Sequence, residues 1–401
     1  MTRREWLLAT SGSVAASAQT TRRPNILFLL ADDQRFNTIH ALGNNEVQTP
    51  NLDRLCARGV AFTHAFIQGG SVGAVCMPSR MMLMSGQHLF HASEFMTPNL
   101  AANTRPFHMW PEELRKAGYR TWATGKWHNS PKLHARCFNG GKSLFFGGMG
   151  EQGALPVWEY SADGNYPKDK AAATTRLSTE VFADNAVAFI KEHKGAEPFA
   201  AYVAFTSPHD PRTAPPEYHK KYVPARMEVP ASFLPEHPFD NGELKVRDEL
   251  LAPFPRTHDV VRQHTADYYA CITHVDAHVG RILDALDASP HGRNTIVVYG
   301  ADNGLALGRH GLFGKQNVYD HSVRVPLIVA GPGIPKGERR TQMVHLHDMC
   351  PTLLDLAGVP IPSTVESRTL VPILKDAKVA GREEMFAAYR DFQRAVRTKD
   401  W

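Results

Sequence analysis

The sequence predicts an α/β fold built on a large mixed, mostly parallel β-sheet that is sandwiched by helices. Two observations support this prediction: short apolar runs recur along the chain, and segments with helical periodicity lie between them. Continuous apolar runs of this length are typical of strands that are buried on both faces, as in parallel sheets. Strands that alternate with helices indicate βαβ units and a doubly wound sheet.

Each of the four strongest apolar runs ends abruptly in a polar cluster. The runs are residues 25–30, 119–124, 199–205 and 295–299. In open α/β sheets the binding site forms beyond the carboxyl ends of the strands. We therefore expect the polar side chains that follow these runs to converge, namely Asp32, Asp33, Lys126, His128, His209, Asp302 and Asn303.

The segments between the runs have the periodicity and the end signals of helices. Residues 51–58 and 111–117 each stop at a glycine, and 181–190 and 268–286 each carry one apolar stripe. Asp276 lies beside the longer stripe, so we interpret it as a structural residue.

Length and composition allow a large core. The chain has 401 residues, of which 43% are hydrophobic, and this favours one big domain or two unequal ones. The formal net charge is +5, but four arginines lie in the first 23 residues, so the rest is nearly balanced. No basic stripe indicates nucleic-acid binding, and no run of about 18 apolar residues indicates a membrane span.

Residues 1–23 have the pattern of an export signal and a linker. Arg3 and Arg4 precede a weakly apolar run that ends in Ala16-Ser17-Ala18, as in a twin-arginine signal with an A-x-A cleavage site. This pattern predicts an exported protein, periplasmic or extracellular. The alternative is a disordered or short helical N-terminus.

Changes in composition divide the remainder of the chain. We expect a catalytic domain over 24–358 and the start of a small C-terminal α+β subdomain over 359–401, which ends in what looks like a strand cut off midway. Residues 211–255 are rich in proline and charge, and 140–170 in glycine and aromatic residues. Both stretches are predicted to be long surface excursions, and the first could line a substrate cleft.

The five cysteines are scattered, and none forms a C-x-x-C pair. This argues against a disulfide framework and against a thiolate zinc site, although one or two bridges stay open. The odd number leaves at least one free thiol, for which Cys76 is the candidate.

The residues that follow two of the predicted strands, Asp32-Asp33 and Asp302-Asn303, offer oxygen atoms as metal ligands. Carboxylate and amide oxygens suit a hard cation such as Ca²⁺ or Mg²⁺ better than zinc. For a single pair of such residues, capping of turns would be the simpler interpretation. Because both pairs follow predicted strands, we expect a metal site formed by Asp32, Asp33, Asp302 and Asn303.

A glycine-rich loop over 69–75 leads into a predicted helix at Cys76. Pro78 suits the first turn of that helix, whose N-terminus favours anions and should acidify the Cys76 thiol. A lone cysteine is more often a small buried apolar residue. The loop of cysteine phosphatases is an alternative, but it needs an arginine six positions after the cysteine, and Arg80 lies four after it.

The segment Cys76-Met77-Pro78-Ser79-Arg80 matches the C-x-P-S-R signature of the formylglycine-dependent sulfatases, the type I sulfatases of the alkaline phosphatase-like superfamily. The resemblance covers nearly the whole chain. Its companion motifs occur in order at Asp32-Asp33, residues 49–53, 125–128, 207–209, 302–304, Lys315 and residues 324–326.

The resemblance implies a sulfate-ester hydrolase whose Cys76 is oxidised to formylglycine by a formylglycine-generating enzyme. The hydrated aldehyde is a geminal diol, of which one hydroxyl attacks sulfur and the other later helps to expel sulfate. The resemblance also implies one divalent cation, with Ca²⁺ preferred over Mg²⁺, bound by Asp32, Asp33, Cys76, Asp302 and Asn303.

Other roles follow from the same resemblance. Arg80 would hold the diol, and Lys126 and Lys315 would neutralise sulfate oxygens. His128 is the implied base and His209 the implied acid, although Lys315 could also protonate the leaving oxygen.

His310 is a further candidate for substrate contact, chosen from 20 histidines.

Two rival functions stay open. The first is a phosphonate monoester or phosphodiester hydrolase of the same superfamily, and the second is an unmodified, non-catalytic glycan-binding relative. A fragment of a sulfated polysaccharide is the expected substrate, on the basis of the long loops and the predicted export. Aryl, choline and steroid sulfates are the alternatives, because specificity lies in loops.

Overall fold

The protein is described by a computed structural model that covers residues 22–96 and 105–401. Arg3, Arg4 and the cleavage motif at 16–18 lie outside these residues, so the export signal stays a prediction. Within the described residues, no helix is both long enough and apolar enough to cross a membrane.

The strands of the described residues, numbered along the chain, are β1 (Asn25–Ala31), β2 (Gly59–Phe66), β3 (Gly69–Gly70), β4 (Arg120–Lys126), β5 (Gly141–Phe145), β6 (Pro156–Val157), β7 (Ala172–Ala173), β8 (Phe199–Ala204), β9 (Thr295–Ala301), β10 (Arg324–Ala330), β11 (Glu338–Arg340), β12 (Val344–His345), β13 (Glu384–Tyr389) and β14 (Gln393–Thr398).

The α-helices of the same residues are α1 (Pro50–Arg58), α2 (Cys76–Ser85), α3 (Leu89–Ser93), α4 (Trp110–Lys116), α5 (Pro131–Cys137), α6 (Ser178–Glu192), α7 (Pro216–His219), α8 (His258–Asp287), α9 (Asp320–Val323), α10 (Met349–Leu356) and α11 (Val371–Lys375).

The large sheet has the strand order β11–β2–β10–β9–β1–β8–β4–β5, and β12 also pairs with β2. Strands β9, β1, β8, β4 and β5 are parallel, whereas β10 is antiparallel to both β9 and β2. The predicted mixed, mostly parallel sheet is therefore confirmed. Because β9, β1, β8 and β4 run in the same direction, the residues that end them lie along one edge.

All four predicted strands agree with the structure to within two residues at each end. Strand β4 continues to Lys126, so this lysine is the last residue of the strand rather than part of the loop after it. Every residue of β1, β8 and β9 is buried, as the continuous apolar runs predicted.

The sequence did not reveal the strands nearer the edges of the sheet. Strand β5 lies within 140–170, which was wrongly predicted to be a surface excursion throughout. Its sequence Gly-Lys-Ser-Leu-Phe has no continuous apolar run, because it pairs with β4 alone at the edge of the sheet. Strand β10 contains Pro326 at a break in its register with β2, where a missing backbone N–H is tolerated.

The predicted helices are present, and α8 is the longest. It begins ten residues before the predicted stripe, where Thr257 accepts a hydrogen bond from the Val260 backbone N–H. Asp276 lies in its middle and is 1% exposed. It accepts hydrogen bonds from the backbone N–H groups of Asn51 and Leu52, at 3.1 and 2.7 Å, and so caps the first turn of α1. This contact agrees with its interpretation as a structural residue.

A C-terminal hairpin packs beside the loop that leads to Cys76. Strands β13 and β14 are antiparallel, and β13 also pairs in parallel with β3. Gly69 of β3 has φ 86°, and a Cβ at this position would lie 2.1 Å from the Ala388 carbonyl oxygen, so the close approach requires glycine. The domain boundary near 358 stays a prediction.

All five cysteines, Cys56, Cys76, Cys137, Cys271 and Cys350, are free thiols and are buried.

We expect Asp276→Ala to lower the free energy of unfolding by about 2 kcal/mol or more, because two N–H groups of α1 lose a buried acceptor. The measurement is the denaturant midpoint of unfolding. Asp284→Ala on the same helix is the control. Its carboxylate pairs with Arg54 at 2.7 Å but is 65% exposed, so the expected loss is below about 1 kcal/mol. Equal losses in the two variants would contradict the capping role.

Candidate active site

The N-terminus of α2 places Cys76 beneath a pocket at the carboxyl edge of the sheet. Cys76 is the first residue of the helix and is 2% exposed. The pocket has a volume of about 290 Å³, and its lining includes Cys76, His128, Met149, His209, Arg247 and Lys315. Residues from six separate parts of the chain therefore line one pocket.

Lys315 joins Asp33 to Cys76. Its Nζ donates to both carboxylate oxygens of Asp33, at 2.6 and 2.9 Å, and lies 3.3 Å from the Cys76 Sγ. Asp33 follows β1 with φ 67°, a left-handed conformation that Asp adopts more readily than most residues. This turn directs its carboxylate into the site.

Arg80 links α2 to two strands of the sheet. Its Nε donates to Asp302 Oδ2 at 2.8 Å, and its Nη1 donates to the Lys126 carbonyl oxygen at 2.6 Å. Lys126 in turn donates from Nζ to Asp32 Oδ2. The predicted convergence of Asp32, Lys126 and Asp302 is present, and Arg80 joins them from the helix.

Burial changes the acidity of the three carboxyl groups. It raises the pKa of Asp32 to about 6 and that of Asp33 to about 8, because neighbouring lysines only partly offset the cost of burying the charge. Burial also acts to raise the pKa of Asp302, but Arg80, Lys126 and Lys315 outweigh it, so this pKa lies below its usual value.

The donor atoms fit a hard divalent cation. Ligand atoms of Asp32, Cys76 and Asp302 lie within 4.8 Å of one another, as do those of Asp33, Cys76 and His209. The buried Oδ1 atoms of Asp32 and Asn303 have no hydrogen-bond partner within residues 22–96 and 105–401. A bound cation would satisfy these oxygens and would lower the raised pKa values of the carboxyl groups.

Both predicted histidines lie in the pocket and are neutral at neutral pH. Burial, together with the nearby Lys126, lowers the pKa of His128 to about 2. Burial and Lys315 hold the pKa of His209 well below its usual value. His209 Nδ1 lies 2.8 Å from the Asp210 carbonyl oxygen and donates to it, so the Nε2 lone pair is left free, 3.7 Å from Asp33 Oδ2.

The prediction that the helix N-terminus acidifies Cys76 is wrong. Burial raises the pKa of its thiol to about 12, and the opposing effects of Lys126 and Lys315 do not compensate. An unmodified thiol in this position is therefore protonated and a poor nucleophile at neutral pH.

His310 lies away from this cluster. Its ring stacks on Tyr319 at 4.5 Å and lies 5.9 Å from the His321 ring. No hydrogen bond or ion pair found among the described residues joins it to Cys76 or to the carboxylates. The structure brings the other predicted site residues together and leaves this one apart.

The sequence did not single out Arg247 and Asp248, which also line the pocket. Arg247 pairs with Asp248 and with Asp210, the residue after His209. Asp248 Oδ2 accepts from Gln316 Nε2 at 2.7 Å. Both residues belong to 211–255, where the many charges give no periodic signal. The expectation that residues 211–255 could line the substrate cleft was the only indication in the sequence that Arg247 and Asp248 belong to the site.

The order and direction of the strands are those of the alkaline phosphatase-like fold, which solved structures share. One is a protein in complex with its substrate D-glucosamine-2-N,6-O-disulfate, with a TM-score of 0.75 and 24% identity, covering 94% of this chain and 87% of that one. Another is the phosphonate monoester hydrolase of Agrobacterium radiobacter, with a TM-score of 0.72 and 23% identity, covering 91% and 80%.

The sulfatase family model matches residues 24–359, and the chain belongs to the sulfatase family. It is 26% identical to the N-acetylglucosamine-6-O-sulfatase of Bacteroides thetaiotaomicron, over 92% of this chain and 74% of the relative. It is also 29% identical to an ulvan-active sulfatase of Formosa agariphila, over 94% and 72%. The protein is thus a sulfuric ester hydrolase, which converts a sulfate ester to an alcohol and sulfate.

Proposed function

We propose that this sulfatase acts on a sulfated saccharide, with Cys76 in its formylglycine form and Ca²⁺ in the oxygen-rich site. The observation that carries the proposal is the position of Cys76. It lies at the start of α2, 3.3 Å from Lys315 Nζ, and shares its pocket with His128 and His209.

Modification of Cys76 is supported by both the motif and its surroundings. The C-x-P-S-R segment is intact, and burial keeps the native thiol protonated. Oxidation by a formylglycine-generating enzyme would convert the thiol to an aldehyde, and addition of water to the aldehyde would supply a hydroxyl that can attack sulfur.

Calcium is favoured over softer metals because the donor set is rich in oxygen. The ion would be held by Asp32, Asp33, Asp302 and Asn303, and it would supply Lewis-acid stabilisation of negative charge.

Buried cations suit the recognition of a sulfate group. Lys126 and Lys315 present ammonium groups to the site, and Arg80 holds its guanidinium between Asp32 and Asp302. In a site shielded from water, such charges stabilise an anion more strongly than they would in solution. We propose that these three residues bind the sulfate oxygens.

His128 is proposed as the base. Its low pKa keeps the imidazole neutral, and its buried Nδ1 has no hydrogen-bond partner within the described part of the chain. A neutral ring with a free lone pair can accept the proton of the nucleophile.

Lys315 is the better supported proton donor for the leaving alcohol. Burial would lower its pKa, but Asp33 outweighs this effect and raises the pKa well above its usual value, so Nζ stays protonated. His209, in contrast, already donates its Nδ1 proton to the Asp210 carbonyl oxygen. We propose that Lys315 protonates the leaving oxygen and that His209 contacts the substrate.

A saccharide substrate is supported by a second pocket of about 480 Å³, whose lining includes Phe239, Phe392 and Arg394. Gln393 lines it as well, and this residue donates from Nε2 to the carbonyl oxygen of Gln316, which lines the first pocket. Exposed aromatic rings beside a cation suit sugar faces and sulfate groups. The names of the Bacteroides and Formosa relatives agree with a glycan substrate.

The twin-arginine pattern supports export to the periplasm or beyond. Because twin-arginine export moves folded proteins, Cys76 would be modified in the cytoplasm before export.

His310 is retained as a candidate for substrate contact on the side of the second pocket, where its partner Tyr319 contributes to the lining.

We expect Phe239→Ala to raise KM for a saccharide sulfate several-fold while leaving aryl sulfate hydrolysis unchanged. The ring is 58% exposed, so its removal should not disturb folding, whereas a sugar would lose a stacking surface. The measurement is the pair of KM values for protein co-expressed with a formylglycine-generating enzyme.

The aryl sulfate serves as the internal control, and a phosphodiester with the same leaving group serves as the competing substrate. A KM unchanged for the saccharide would contradict the proposed subsite. A higher kcat/KM for the phosphodiester would favour the rival phosphonate or phosphodiester hydrolase.

Lys315→Ala should reduce kcat/KM far more for an alkyl sulfate than for a nitrophenyl sulfate. Without a proton donor the leaving group departs as an anion, which an alcohol does much less readily than a nitrophenol. Loss of general acid catalysis typically costs about 10²–10⁴-fold. The readout is the ratio of the losses for the two substrates.

His209→Ala is the matched comparison in the same pocket. We expect it to lower kcat/KM for the two substrates to a similar extent. If the steeper dependence on the leaving group appears in His209→Ala instead, His209 is the donor and the assignment of Lys315 is wrong.

A further inference from the structure

Helices α6 and α8 bring two histidines and a glutamate together away from the active site. His274 and His278 are one helical turn apart on α8, and Glu180 faces them from α6. Ligand atoms of the three residues lie within 4.8 Å of one another. We call these three residues the helix-pair cluster.

His274 is the most unusual member of the helix-pair cluster. It is 1% exposed, and neither of its ring nitrogens has a hydrogen-bond partner among residues 22–96 and 105–401. Buried polar atoms in proteins are nearly always paired, because an unpaired one costs free energy. The His274 ring also packs against the rings of His278 and Tyr218, at 4.7 and 4.9 Å, which limits its access to solvent.

The spacing between His274 and Glu180 suits a shared metal ion. His274 Nε2 lies 3.8 Å from Glu180 Oε1, which is too long for a hydrogen bond. Two ligands with bonds of 2.0–2.1 Å at the corners of a tetrahedron are about 3.4 Å apart. A small rearrangement would therefore let both atoms bind one ion.

The surroundings hold the glutamate in place. Arg176 Nη1 lies 3.5 Å from Glu180 Oε2, so Oε1 is the oxygen that faces His274. Such contacts orient metal-binding carboxylates in known sites. Arg176 also pairs with Asp184, which offsets its charge.

Arg281 places a positive charge beside His278. Its Nη1 lies 3.0 Å from His278 Nδ1, and its positive charge opposes a cation nearby. Its Nη2 also pairs with Asp184 Oδ1 at 2.6 Å, so Arg281 keeps a partner if it leaves the histidine. A metal bound to Nδ1 of His278 would therefore displace Arg281 toward Asp184.

From this arrangement we propose that Glu180, His274 and His278 form a zinc site that joins α6 to α8. Two imidazoles one helical turn apart and a carboxylate are ligands that zinc favours, whereas calcium and magnesium prefer oxygen alone. The site would stabilise the contact between the helices and is independent of the sulfatase reaction.

The test is zinc binding to the full chain by equilibrium dialysis in excess calcium, with thermal unfolding measured in parallel. We expect zinc to bind wild-type protein and to raise its Tm. Glu180→Gln should weaken zinc binding by about tenfold or more. Even the loss of a residue that only hydrogen-bonds to a metal ligand typically lowers metal affinity by about 10–100-fold. Glu180 is partly exposed, so this variant should keep its fold.

Glu192→Gln is the matched control, because it makes the same change at an exposed position of the same helix. It should bind zinc like wild type. Arg281→Gln should bind zinc more tightly, because a competing cation is removed. Equal zinc binding in Glu180→Gln and Glu192→Gln would overturn the proposed site, as would weaker binding in Arg281→Gln. Any zinc in the oxygen-rich active site is the same in all these proteins and cancels from the comparison.

Discussion

Three carboxylates, two lysines and one arginine are buried together where the central strands end. Asp32 pairs with Lys126, Asp33 with Lys315, and Asp302 with Arg80. Burying any one of these charges alone would cost several kcal/mol, so each residue depends on the positions of the others. The parallel order of β9, β1, β8 and β4 meets this requirement by bringing the strand ends to one edge.

The pairing also positions the reactive residue. Arg80 is one turn after Cys76 on α2, and its hydrogen bonds to Asp302 and to the Lys126 carbonyl tie that helix to the sheet. On its other side, the loop before Cys76 is paired with the C-terminal hairpin through Gly69. The pocket is formed by the start of α2, the buried charged residues at the strand ends and part of the irregular segment over 211–255.

The sequence predicted the centre of the sheet and most of the site, because both depend on local patterns. Apolar runs mark strands that are buried on both faces, and parallel strands must end on the same edge. Arg247 and Phe239 could not be predicted, since they lie in a segment without periodicity and reach the cleft through tertiary packing. The acidity of Cys76 was predicted in the wrong direction, because burial is a property of the folded chain. The choice of His310 from 20 histidines rested on no predicted strand end.

The central claim is that Cys76 works as formylglycine. The most direct test is the mass of the peptide containing Cys76, measured in preparations with different extents of modification and compared with their activity toward an aryl sulfate. The account predicts that activity is proportional to the fraction converted from thiol to aldehyde and is lost in Cys76→Ala. Full activity in protein whose Cys76 is entirely unmodified would contradict it.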